Sequence, residues 1–131
     1  MRWQKKAVRA TNATRATVVG RCIRVAETGL TRMVGLLGER ELQPGDGLLI
    51  VPSQGVHTLG MRFPIDIAVL DDDWRVIAIR RDMRPFRMTR MFWKAAAVLE
   101  LPSGMLESTS TFVGDTIEFD RADMTVQSGE K

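Results

Sequence analysis

The stretch IDIAVLDDDWRVIAI, residues 65–79, limits the fold of this chain more than any other. Two short runs of β-branched and apolar residues flank three aspartates, which suit a tight turn and fit poorly in a buried ladder. A β-hairpin is therefore expected here. Similar short runs recur. ATVVGRCIRVAE (16–27) reads as a strand with Gly20 at a bulge position, and LLIV (48–51) is ended by Pro52. AAAVLEL (95–101) is closed by Pro102, and VGDTIEF (113–119) reads as the last strand. The clusters LQPGDG (42–47) and SQG (53–55) supply turns.

Only TGLTRMVGLLGER (28–40) carries a helical period: Leu30, Met33, Val34 and Leu37 fall at i, i+3, i+4 and i+7. Thr28 can cap its start, and Gly38 sits where a left-handed C-terminal cap belongs. SGMLESTS (103–110) suits a turn or a single helical turn, and DMRPFRMTRMFWK (82–94), interrupted by Pro85, suits a long surface loop. The fold class expected is mostly β, a compact antiparallel sandwich or barrel-like domain with one short α-helix near its N-terminal side. Residues 1–15 read as a basic, flexible lead-in, 16–120 as a single compact domain and 121–131 as a polar tail.

With 131 residues, 44% of them hydrophobic, the chain can build one real core. The net charge of +3 hides two basic zones, one from Arg2 to Arg24 and one from Arg75 to Lys94. They favour an anionic partner. Nucleic acid is disfavoured, because neither zone interleaves aromatics and no helix-turn-helix or zinc-finger spacing occurs. Cys22 is alone, which excludes an intrachain disulfide and a paired-cysteine zinc site and suits a reducing compartment. No signal-peptide core or membrane-spanning segment is read, so the expectation is a cytoplasmic protein. NAT at Asn12 matches a glycosylation sequon by chance.

Several segments together carry a resemblance: GLL (35–37), GLLIVPSQGVHTLGMRFPIDIAVLDDD (47–73), MRPFR (83–87), AVLELPSG (97–104) and VGDTIEF (113–119). In order and spacing they resemble the family called domain of unknown function 192, over about residues 17–120. The resemblance implies a small, mostly β domain with a short helix near its start, folded back into a sandwich or barrel-like core. It implies no established reaction, substrate or cofactor. Many relatives are exported or envelope-associated, and many carry a cysteine near the position of Ser53.

Strand geometry sorts the candidate residues. Arg62, Pro64, Asp66, Ala68 and Leu70 share one face, and Met61, Phe63, Ile65, Ile67 and Val69 the other. Arg62 and Asp66 lie roughly 13 Å apart along the strand, too far for direct contact unless Pro64 bends it. Asp66 and Glu100 are structural candidates, each expected to pair with an arginine or to accept backbone donors, since an unpaired buried carboxylate costs several kcal/mol. For Glu100 the natural partners are Arg62, Arg84 and Arg87. One histidine gives no metal spacing, and the methionines Met61, Met83, Met88 and Met91 read as filler, so no metal and no cofactor are expected. Ser53, His57 and Asp66 supply the residue types of a triad, but no nucleophile elbow is present.

Two functions of different class follow. The favoured one is a non-enzymatic binding or accessory module whose site, lined by His57, Arg62, Arg84 and Arg87, holds an anionic group of a small molecule or a protein partner. The rival is a small hydrolase or lyase-like enzyme with His57 as general base, oriented by Asp66 or Glu100. Neither the catalytic residues nor the oligomeric state is specified by the sequence.

Overall fold

The computed structural model of the chain describes residues 7–26, 42–53, 63–84 and 91–121. Seven strands, β1 (Ala7–Asn12), β2 (Thr17–Ala26), β3 (Asp46–Ile50), β4 (Ile65–Leu70), β5 (Val76–Met83), β6 (Ala97–Pro102) and β7 (Ile117–Arg121), form one sheet in the order β5-β4-β6-β3-β2-β1-β7. The sheet curls into a half-barrel, with a single helical turn, α1 (Met105–Ser108), between β6 and β7.

The hairpin written into residues 65–79 forms as β4 and β5. Its turn is held by the Asp71 carboxylate, which accepts the amides of Asp73 and Arg75, both at 2.9 Å, while Trp74 takes a left-handed backbone with φ of 64°. Every residue of β4 and of β6 is buried. Central strands covered on both faces need apolar residues throughout, which is why both runs are nearly continuous rather than alternating.

Successive residues of these strands feed two cores. Ala68, Leu70, Leu99 and Leu101 join Val19, Ile23, Leu106, Val76 and Ile117. This cluster gathers side chains from β5 and β7, the two edges of the sheet, so it fills the concave side. Ile65, Ile67, Val69 and Val98 point the other way and pack with Leu42, Phe63 and Phe92 on the convex side. The edges themselves meet at one end: the amide of Val76 donates to the Asp115 carbonyl at 2.8 Å, and that of Ile117 to the Trp74 carbonyl at 2.9 Å. Gly47 in β3 is a steric requirement, because a Cβ there would lie 2.8 Å from the Glu100 carbonyl oxygen of the neighbouring β6.

Two expectations change. β2 and β3 are parallel, whereas all other strand pairs are antiparallel; a parallel pair follows because residues 27–45 carry the chain back before β3 begins. Residues 7–12, read as part of a flexible lead-in, form β1 between β2 and β7. Its inward positions are Ala10 and Asn12, one small and one polar, so no apolar alternation marks it. The helix expected between Thr28 and Gly38 lies outside the described residues; the helical turn that is described, α1, falls near the C-terminal side, within SGMLESTS.

Candidate functional site

Glu100 stands in the middle of β6, opposite Leu48 of β3 and Ile67 of β4. Those two residues belong to the convex cluster, so the carboxylate rises from that face, and it is only 3% exposed. It is not left without a partner.

Three connections have described residues packed on this face. β3 ends at Ile50, level with Val98 at the start of β6, but β4 begins at Ile65, level with Pro102 at its end. β5 ends at Met83, level with Ile65, and β6 begins at Ala97, level with Leu70. β2 ends at Ala26 beside Ile50, and β3 starts at Asp46 beside Cys22. Each of these three connections must therefore travel the length of the sheet before the next strand starts. Their described anchors, Phe63, Phe92 and Leu42, all pack into the convex cluster, to which Leu48 and Ile67, the neighbours of Glu100, also belong.

Of the candidate ligand-binding residues, Arg84 is described. It follows β5 directly, is 71% exposed at its side chain and pairs with Asp82 at 3.5 Å, an exposed contact of little energetic weight. Nearby, the Arg80 guanidinium lies 5.7 Å from the Phe92 ring centroid. His57, Arg62 and Arg87 lie outside the described residues. In chain order, His57 and Arg62 belong to the connection from β3 to β4, and Arg84 and Arg87 to that from β5 to β6.

Asp66 is on the opposite, concave side, one residue along from Ile67. It is completely buried and accepts three backbone amides: Asp82 at 2.8 Å, and Gly104 and Leu106 at 3.0 Å each. β5 bulges where Asp82 takes a left-handed φ of 52°, and Asp66 captures the amide that the bulge removes from the ladder. The same carboxylate anchors the start of α1. Asp66 and Glu100 thus serve different faces, and Asp66 has its oxygens engaged away from the convex side. Backbone amides, rather than an arginine, are its described partners.

A further polar cluster escaped the sequence reading. Asn12 is completely buried, and its Nδ2 donates to Thr111 Oγ1 and Asp115 Oδ2, both at 3.0 Å. Asp115 Oδ2 also accepts the Phe112 amide at 2.9 Å and Arg15 Nε at 3.1 Å. Burial alone would raise the Asp115 pKa; the hydrogen bonds from Asn12, Phe112 and Arg15, with the Arg15 charge, outweigh it and hold the carboxyl below its ordinary value. Arg15 and Arg81 both lie over the Phe112 ring, at 5.1 and 5.7 Å. This network ties the β1–β2 turn to the segment that closes the half-barrel. The Asn12 amide is committed there, which accounts for the asparagine of NAT without glycosylation. Among the described residues, no three histidine, cysteine, aspartate or glutamate side chains come together as a metal site, and no helix is long and apolar enough to cross a membrane.

Comparison with known proteins places this architecture. A candidate transcription regulator from Sinorhizobium meliloti superposes with a TM-score of 0.72 at 21% identity, over 87% of this chain and 92% of that one. A protein of unknown function from Novosphingobium aromaticivorans superposes with a TM-score of 0.71 at 22% identity, over 86% of this chain and 83% of that one. At such identities the likeness is one of fold. No curated protein matches the chain. The model of DUF192, an uncharacterized ACR family, matches residues 9–119, from β1 through β7, and the chain belongs to that family.

Proposed function

We propose that this chain is a non-enzymatic binding module whose site lies on the convex face over Glu100 and takes an anionic group of a small molecule or a protein partner. The observation that carries this reading is a carboxylate, Glu100, buried on the face into whose apolar cluster Leu42, Phe63 and Phe92, each from a long connection, pack. In this reading the connections bring His57, Arg62 and Arg87 over the face. Glu100 neutralises one of these cations and orients it, while the rest, with Arg84 at the rim, present guanidinium groups to the ligand. Binding residues are placed on connections supported by a rigid sheet, as in many binding domains. The folded unit we propose runs from β1 to β7, and the single free Cys22 suits a cytoplasmic setting.

The test is thermal unfolding of the full chain with phosphate, sulfate or a dicarboxylate. Such anions are expected to raise the melting temperature by preferential binding to the native state, and neutral sugars at matched concentration are not. The Arg84→Ala, Arg87→Ala double variant is expected to lose that rise. An equal rise in the double variant would reduce the effect to general salt stabilisation and reject the site.

A second reading rests on Glu100 as well: a buried carboxylate on this face could fix the tautomer of a His57 general base. It requires the imidazole to titrate well above its ordinary value of about 6.5 and to return toward it in Glu100→Gln. An NMR titration of the ring checks this. A His57 pKa indifferent to Glu100 removes the enzyme reading and leaves the binding module untouched.

A further inference from the structure

β2 departs from a regular ladder at Gly20. Ala10 pairs with Gly20 and Val8 with Ile23, so Arg21 and Cys22 are carried in a bulge. Both of their amides donate to the Gly45 carbonyl, at 2.9 and 2.8 Å. A Cβ on Gly20 would collide with the Ile23 side chain, and Gly45 adopts a left-handed φ of 98°. Two residues without side chains thus meet at this corner, and beside them is a groove of about 350 Å³ between Val18–Arg21 of β2, the Pro44–Gly45 turn and Met105 of α1. Its volume falls in the range of small-molecule sites.

The lining combines polar backbone with side chains that are apolar with one exception. Val18 is 44% exposed, and Pro44 and Met105 add aliphatic surface. The exception is Arg21, which is exposed and has no carboxylate within ion-pairing distance among the described residues. Arg9, Arg15 and Arg84 differ, since each pairs with an aspartate. A neutral apolar occupant would leave this cation unused, and a compact inorganic anion would gain nothing from the walls. An occupant that matches both carries one negative group and a short hydrocarbon body. We infer that this groove is a second binding site, separate from the convex face, for a small aliphatic monocarboxylate held by Arg21 and packed against Val18, Pro44 and Met105.

Hexanoate is the probe, with acetate and hexanol as controls for charge alone and chain alone. In amide-resolved NMR titrations of the full chain, hexanoate is expected to shift Arg21, Cys22 and Gly45 with higher affinity than either control. Arg21→Gln, at an exposed position without an ion-pair partner among the described residues, should fold normally and weaken hexanoate at least about tenfold, the effect of one charge-assisted hydrogen bond. Val18→Glu should weaken it too, by placing a like charge in the groove. Arg84→Ala should leave the affinity unchanged, which separates this site from the convex face. Wild-type affinity in Arg21→Gln, equal binding of hexanol, or shifts confined to residues 80–94 would each overturn the inference.

Discussion

Asp66→Ala is expected to lower the unfolding free energy by about 4 kcal/mol, because buried or half-buried backbone donors left without an acceptor cost about 1–3 kcal/mol each. Three amides depend on this carboxylate, those of Asp82, Gly104 and Leu106. They belong to two segments that no ladder joins: the bulge at the end of β5 and the start of α1. Losing the acceptor therefore frees both at once, and amide exchange at Leu106 should accelerate along with the fall in stability. Asp66→Asn keeps one carbonyl oxygen, which can still serve Gly104 and Leu106, so about half of the loss is expected there. Denaturant unfolding measures both variants. An Asp66→Ala protein within about 1 kcal/mol of wild type would show that water replaces the carboxylate at this position.

The strands were legible where burial on both faces forced continuous apolar runs. IDIAVL and AVLEL lie in β4 and β6, which are buried throughout, and an aspartate-rich turn of the expected kind joins β4 to β5. Gly20 also announced its bulge. β1 was not legible, because its buried positions are an alanine and an asparagine, and the asparagine is inside only because Thr111 and Asp115, about a hundred residues away, receive its amide. No local pattern encodes such a partner. The parallel pairing of β2 with β3 was missed for a related reason. It depends on where residues 27–45 deliver the chain, and side-chain periodicity is blind to strand direction.

The polar candidates show the same division. Asp66 and Glu100 stood out because a carboxylate inside an apolar run needs a partner, and both are buried. Parity along a strand assigns faces within that strand, and Phe63, Ile65, Ile67 and Val69 do share one core. It cannot say how two strands are aligned. Only the pairing of Ile67 with Glu100 and of Asp66 with Leu101 shows the two carboxylates back to back on opposite faces.

Asp115 supports the sharpest dependence on pH. Its carboxyl is held below the ordinary value of 3.8 because three donors converge on one oxygen, offsetting the penalty of burial. A carboxylate whose folded pKa is depressed adds stability that is complete above its unfolded pKa and is lost as pH falls through the folded one. Asp115→Ala should therefore cost about 3 kcal/mol near neutral pH, where the Asn12 and Phe112 donors lose a charged acceptor. That gap should narrow as the pH falls below about 4, since the wild type then gives up the same contribution by protonation. Urea midpoints across an acid series would reveal it as two curves converging at low pH. Parallel curves would mean that the carboxylate titrates alike in the folded and unfolded chain, and that the seam between β1 and the closing segment is held by its neutral hydrogen bonds, Asn12 to Thr111 foremost.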